Sequence, residues 1–295
     1  MEISQLEAFI AVAKSGSFSS ASELLHLSQP AISRRIALLE HSLKTSLFER
    51  IPKGIILSDS GKKFLPYAMR VMSSIKDGVD ALKTDDNIET GVINIAIVGT
   101  LASTDLSQKL KAFRTKYPQV ELNLRTALSN EVSELVLSGE VHLGMRYFPE
   151  TSADIQSDLL FQEPMVTVCA TDSKLVDSSN FKLEQLKSCH FLSFVKSKKK
   201  TTNSFYQLTQ KQLIKAGFDD VELIPIDSLT AQKRLVEADF GLCILPLSSI
   251  DEELKIGTLR IVEHPLLSTS IDIFLIHRKS LHLNKVLENF ILNMH

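Results

Sequence analysis

The chain has no tryptophan and no apolar run approaching the roughly 20 residues that a bilayer-spanning helix needs. Its N-terminus, MEISQLEAFIAVAKSG, lacks a basic n-region and carries Glu2 and Glu7, so it reads as an amphipathic helix rather than a signal peptide. A cytoplasmic location and no membrane association are therefore expected. Cysteine is scarce: Cys169, Cys189 and Cys243 lie in apolar segments and show no CxxC spacing. A disulfide framework is not expected in the cytosol, so these read as buried structural thiols, with a redox switch as the alternative. The eight histidines form no HxxxH pair and no His/Cys cluster, so no metal site is assigned. No GxSxG, P-loop or strand-borne GxGxxG occurs, which removes the common signatures of an α/β enzyme and leaves no expected cofactor. Charge of one sign is also missing. With 33 Lys and Arg against 35 Asp and Glu, the net charge of −2 announces no partner.

What is present is enough apolar material for two or three domains: 295 residues, 44% hydrophobic. Charge is unevenly placed, since residues 1–65 hold eight basic against six acidic side chains. Within them, residues 17–50 carry two short helical patterns joined by a polar break. The first runs from about Ser19 to Leu25. The second opens at Ser28, a suitable N-cap, with Pro30 in the first turn, where a missing N–H costs little. Ile32, Ile36, Leu39 and Leu43 form one apolar stripe of the second helix. Its other face carries Ser33, Arg34, Ala37 and His41, with Gln29 beside it. Gln and Ser can bond base edges, and Arg can reach guanine or phosphate. Helix, turn and a helix with a small polar face describe helix-turn-helix docking; two ordinary bundle helices are the plainer alternative.

A preceding helix over residues 2–14 offers Ile3, Leu6, Phe9, Ile10 and Ala13 and ends at Gly16. After Arg50, Ile51 and Ile55–Leu57 read as two short strands around Pro52-Lys53-Gly54. This is a hairpin wing with a basic tip, unless Lys53 is an incidental loop lysine. The pattern SxxxAAxxLxxSQPAxSxxIxxLExxLGxxLFxR, followed by a basic wing and Thr-x-x-Gly, resembles the N-terminal domain of LysR-type transcriptional regulators. The chain supplies Ser17-Phe18, Ala21, Leu24, Ser28-Gln29-Pro30-Ala31, Ser33, Ile36, Leu39-Glu40, Leu43, Leu47-Phe48, Arg50 and Gly61. It departs at Ser20 (usually alanine), Lys44 (usually glycine) and Ser58 (usually threonine). The DNA-binding residues expected on this basis are Ser28, Gln29, Pro30, Ser33 and Arg34 as readers, with Arg50 and Lys53 as phosphate anchors.

Residues 58–84 form a long helical segment. Leu65, Ala68, Met72, Ile75, Val79 and Leu82 alternate by three and four, which predicts a dimerising a/d seam with a bend near Pro66. The resemblance likewise implies a linker helix pairing two chains. From Gly91 the periodicity becomes βαβαβ (strands at 92–98, 120–125 and 141–146), so a parallel sheet is expected. The pattern restarts with strands at 165–170, 190–195, 221–226 and 241–246, a late strand at 270–277 and a closing helix at 280–294. The whole is α plus α/β: a winged helix-turn-helix, a linker helix, and a two-lobed domain that resembles periplasmic binding proteins. The domains expected are 1–58 for DNA binding, 59–90 for the linker and hinge, 91–163 with 267–295 as lobe I, and 164–266 as lobe II. The resemblance has the chain cross between lobes near Glu163-Pro164 and His264-Pro265.

Ligands of parallel α/β sheets bind beyond the carboxyl ends of the strands. Thr100 and Ser103 follow the first strand, Ser129 the second and Arg146 the third; Ser193, Thr202 and Asp227 are their lobe II counterparts. An arginine fork there suits a carboxylate, and the set favours a small anionic effector. Each residue has a plainer role open to it: Thr100, Ser103 and Ser129 as helix caps, Arg146 as the partner of a nearby acid, and the lysines at 196–200 as a solvated loop. The function expected is a transcriptional regulator controlled by that effector. Its partners would be double-stranded DNA with an imperfect palindrome, a second copy joined through the linker helix, a homotetramer built from such pairs, and RNA polymerase as a further contact. An α/β enzyme, or a solute-binding protein with an accessory helical domain, is the alternative. A catalytic assay and a DNA-binding assay separate these readings.

Overall fold

The computed structural model describes residues 1–52, 54–82, 90–103, 106–173, 183–196, 204–219 and 221–295. Three helices open the chain: α1 (Ile3–Ser15), α2 (Phe18–Leu24) and α3 (Gln29–Leu43). Each boundary has a local cause. Gly16 takes a left-handed φ of 65° and its N–H bonds Val12 O, closing α1. Ser17 and Ser28 accept N–H bonds from Ser20 and Ala31, opening α2 and α3. Leu6, Phe9, Val12, Ala21, Ile32, Ile36, Leu39 and Leu47 form their common core. The wing is an antiparallel hairpin of β1 (Phe48–Ile51) and β2 (Gly54–Leu57). Glu40 ties it to α3, accepting from the amides of Leu47 (2.6 Å) and Phe48 (3.3 Å).

The helix α4 (Asp59–Leu82) continues without interruption through Pro66. Its expected single seam is divided in two. Leu65, Ala68 and Met72 pack inward on the N-terminal core. Ile75, Val79 and Leu82 stay exposed, in line with Tyr67 and Val71. The cause is competition for one stripe: the small three-helix core takes the apolar side chains nearest to it and leaves those of the later turns exposed.

Beyond Gly91 lies one mixed sheet, with strands in the order β4-β3-β5-β11-β6-β9-β7-β8 and β10 beside β6. Lobe I contributes β3 (Gly91–Val98), β4 (Val120–Ala127) and β5 (Leu143–Tyr147), with helices α5 (Leu106–Lys116) and α6 (Ser129–Ser138). Lobe II contributes β7 (Phe191–Ser193), β8 (Leu223–Pro225), β9 (Leu242–Pro246) and β10 (Leu259–Ile261), with α7 (Phe205–Lys215), α8 (Leu229–Glu237) and α9 (Asp251–Ile256). The chain closes with α10 (Lys285–Met294), packed on lobe I. Within each lobe β3, β4 and β5, and likewise β7, β8 and β9, run parallel as expected.

Two long strands, β6 (Ile155–Ala170) and β11 (Ser268–Arg278), lie outside these parallel units and pair antiparallel along their shared length. The expected strand at 165–170 is only the second half of β6. At the expected crossing near Glu163-Pro164, Pro164 sits within the ladder opposite Ser270. β6 pairs first with β11 and then, from Met165, with β9 and β10. The passage between lobes at this point is thus a continuous strand. Separate apolar cores fill lobe I, the two faces of lobe II and the N-terminal domain.

Candidate nucleic-acid interface and interlobe cleft

On α3 the apolar stripe is buried, so the other face must look outward. Gln29, Pro30 and Arg34 are exposed, Ser33 is half-buried, and Ala37, Leu38 and His41 continue the open face. Ser28 is exposed and caps the helix, with Ala31 N donating to its Oγ at 3.3 Å. The neighbouring Arg35 points the opposite way and donates to Ser4 O at 3.4 Å, holding α3 on α1. Arg50 lies on β1, and Lys53 falls outside the described residues. An exposed helix face of small and polar side chains, with its far side locked to a core, can enter a major groove without rearranging.

The motif residues around this face have structural causes. Gly61 approaches so closely that a Cβ would lie 2.1 Å from Leu47 O. Ser58 accepts from Gly61 N at 3.0 Å and donates to Ser46 O at 2.7 Å, doing the capping work of the usual threonine. Lys44, standing where glycine is usual, takes a left-handed φ of 52° at the end of α3.

The cleft lies where the parallel strands of both lobes end. After β3 a 3-10 turn at Gly99–Ser103 carries Thr100, whose Oγ1 donates to Tyr147 Oη at 3.0 Å. Ser103 closes that turn. It meets a second 3-10 turn from lobe II, Leu247–Ile250. There Ser248 donates through its amide (3.0 Å) and hydroxyl (2.6 Å) to Glu163, a carboxylate only 5% exposed on β6. Tyr147 is buried, and its phenol is raised well above its ordinary range by burial, against the Thr100 hydrogen bond and with the help of the Glu163 charge.

Aromatic rings bridge the lobes. Phe205, the first residue of α7, packs on Tyr147 at 4.7 Å, on Phe148 at 6.3 Å and on Phe194 at 4.9 Å. Phe148 adopts a φ of 62°, rare for a bulky side chain, immediately after β5. Phe148, Phe194 and Phe205 gave no motif in the sequence, and Glu163 was read only as part of a lobe crossing; their convergence from separate segments marks them.

Arg146 is largely buried, with 13% of its side chain exposed, and already has partners. Its guanidinium donates to Ser133 of α6 and to the Glu150 carboxylate, and its Nε bonds Tyr147 O at 3.3 Å. Burial lowers the Arg146 pKa against the opposing effect of Glu150. Burial pushes the Glu150 carboxyl up, but hydrogen bonds from Ser133, Ser152 and Thr151 and the Arg146 charge outweigh it, so its pKa falls below the ordinary value.

The other expected ligand residues are scattered. Ser129 is the first residue of α6 and half-buried; the helix is capped instead through Leu128 N and Glu131, at 3.0 Å. Ser193, at the end of β7, is 2% exposed, and its Oγ has no hydrogen-bond partner among the described residues. Asp227 is exposed, next to Ser228, the cap of α8. Thr202 lies outside the described residues. Cys169, Cys189 and Cys243 are buried thiols outside any disulfide. Burial pushes the Cys169 thiol up to about 11 and the Cys243 thiol higher still, with Cys243 Sγ bonded to Gln232 Oε1 at 2.9 Å. Among the described residues no group of three or more His, Cys, Asp or Glu could hold a metal ion, and no helix is long and apolar enough to cross a membrane.

Comparison with known proteins places both halves. Residues 3–62 match the bacterial regulatory helix-turn-helix protein, lysR family, and residues 87–294 match the LysR substrate binding domain. The HTH-type transcriptional regulator CfxR of Cupriavidus necator is 27% identical over 264 residues, covering 89% of this chain and 81% of its own. The uncharacterized HTH-type transcriptional regulator YeiE of Escherichia coli is 28% identical over 288 residues, covering 97% and 94%. Full-length CbnR, solved in complex with its target DNA, aligns with a TM-score of 0.69 at 25% identity, over 100% of this chain and 99% of that one. The same two domains in the same order, over nearly the full length, place this chain in the LysR family of DNA-binding transcriptional regulators.

Proposed function

We propose that this regulator reads its operator through Gln29, Pro30, Ser33 and Arg34, and that a small anionic effector acts at Arg146. The observation that carries the second part is the Glu150 carboxylate on the Arg146 guanidinium. A carboxylate already occupies the fork, and Arg146 is next in sequence to Tyr147 of the Thr100–Tyr147 pair. An effector carboxylate or a comparable oxyanion would take the place of Glu150. Replacing one charge partner by another keeps the buried cation compensated, which a neutral ligand cannot do. Thr100 and the unpartnered Ser193 hydroxyl would supply polar contacts from the two lobes.

DNA recognition is supported by the exposed polar face of α3, and a relative of the same fold, CbnR, is solved with its target DNA. The exposed stripe of Val71, Ile75, Val79 and Leu82 suits pairing of α4 with a second copy. Such a pair would place two α3 helices on the half-sites of an imperfect palindrome, and two pairs would make a tetramer able to contact RNA polymerase. The domain limits given above, with lobe I at 91–163 and 267–295 and lobe II at 164–266, belong to this reading.

The test is a gel shift and footprint on DNA upstream of the protein's own gene at fixed salt. It is run alone and with citrate, benzoate, sulfate and phosphate. A protected palindrome whose extent changes with one of these anions is the expected result, and Arg146→Ala abolishes that change while binding without anion persists. Loss of all binding in Arg146→Ala would make the residue structural. No protection of any upstream DNA would sink the operator reading.

A further inference from the structure

The apolar cores of the N-terminal domain and lobe I do not merge; a set of polar contacts joins them. At its centre is Arg278, the last residue of β11, which is 4% exposed. Its Nη2 donates to Asp77 of α4 at 2.6 Å and its Nη1 to Val136 O of α6 at 3.0 Å. One turn earlier on α4, the Ser73 hydroxyl donates to Gly139 O at 3.4 Å. Gly139 ends α6 with a φ of 77°, and a Cβ there would lie 1.8 Å from Ser73 Oγ and 2.5 Å from Arg278 Nη1. The linker helix therefore seats on the last turn of α6. Arg70–Asp154 at 2.9 Å and Lys14–Glu140 at 3.5 Å flank this seat as exposed ion pairs of small weight.

The same helix α6 reaches the cleft. Ser133, two turns before Gly139, receives the Arg146 guanidinium, and Arg146 holds Glu150. The strand β11 makes the same connection by another route, because Phe274 pairs with Arg146 and Arg278 is four residues on. One helix and one strand thus each touch the Arg146–Glu150 pair at one end and the linker seat at the other. A buried, compensated charge at the seat makes that contact all-or-none, since Arg278 cannot leave Asp77 without a replacement partner.

We propose that the Asp77–Arg278 and Ser73–Gly139 contacts are the joint through which the state of the Arg146–Glu150 pair reaches the linker helix, with α6 as the connecting rod. The inference rests on the reading that the cleft is where the effector acts. Asp77 and Ser73 are positioning residues: they touch neither DNA nor effector but set the linker relative to lobe I. By reciprocity, a joint that carries a change from the Arg146–Glu150 pair to the linker also carries one from the linker to the pair.

The test is amide hydrogen exchange on the full-length chain without ligand, so a failure of the anion reading leaves its outcome untouched. Asp77→Asn is expected to speed exchange by about fivefold or more over Ser133–Gly139 and also at Tyr147, Phe148 and Glu150, leaving α1–α3 unchanged. Ser73→Ala removes one hydroxyl and no charge, and produces a smaller change in the same two places. In the reverse direction, Arg146→Gln speeds exchange over Val71–Val79. Should Asp77→Asn unfold the domain, the Ser73→Ala and Arg146→Gln results decide alone. Exchange altered only at the substituted end, in each variant that folds, overturns the proposal.

Discussion

The outer face of α3 and the interlobe cleft use the same kinds of side chain in opposite ways. On α3, Gln29 and Arg34 face solvent, and their neighbour Arg35 is turned away to hold the helix on α1. In the cleft, Arg146, Thr100 and Glu163 are each engaged by another part of the chain. The difference follows from what each surface must meet. A DNA duplex brings its own charge and shape to an open face, so readers can wait in water at little cost. A largely buried guanidinium is costly without a charge partner, and here the chain supplies one in Glu150. Function and stability should therefore separate on α3 and be inseparable in the cleft.

Substitutions can break or sharpen that contrast. The largest effect is expected not at a reader but beneath the readers. Gly61→Ala drives a Cβ into Leu47 O and should cost about 3 kcal/mol in denaturant unfolding, abolishing DNA binding with it. In the cleft, Arg146→Ala strands the buried Glu150 carboxylate and should cost about 2–3 kcal/mol while removing the anion response. The acid side of the same pair gives a pH signature. Because the folded pKa of Glu150 is depressed, its stabilisation is complete above the ordinary glutamate value of about 4.3 and is lost as pH falls through the lower folded value. Glu150→Gln should remove that acid limb from a stability-versus-pH curve.

On α3 the opposite pattern is expected. Ser33→Ala with Arg34→Ala should weaken operator binding by about 10- to 100-fold, with thermal stability changed by no more than about 0.5 kcal/mol. A large stability loss there would erase the distinction between the two surfaces. The smallest effect is at Lys44. Lys44→Gly relieves a left-handed side chain, and should stabilise by about 0.5–1 kcal/mol without altering DNA affinity.

Much of the N-terminal domain was legible because its information is local. Ser28 and Pro30 announce the start of α3, and four apolar residues at helical spacing declare its buried side, so the outer face follows by subtraction. The wing and the glycine at position 61 belong to the same short motif. The strands of the two lobes were legible by period. Their joining was less so: a crossing near Glu163-Pro164 was expected, but not that residues 155–164 form one strand with 165–170, held through Pro164 by antiparallel pairing with β11. The linker seam was half right, because a heptad count cannot tell which apolar residues the neighbouring core will claim.

The cleft resisted sequence reading for a different reason. Arg146 and Thr100 were found by their place after strands, yet the groups that define their chemistry come from elsewhere: Ser133 from α6, Phe205 from lobe II, Glu163 from the middle of β6. Local pattern was enough to place the helices of the N-terminal domain, the parallel strands of both lobes and the free face of α3, since those depend on neighbours within a turn or two; it missed β10 and the first part of β6, which exist through pairing with distant strands. Which buried charge meets which partner depends on contacts between segments far apart in the chain. That is why Asp77 meeting Arg278, and Glu150 occupying Arg146, became visible only once the fold had brought them together.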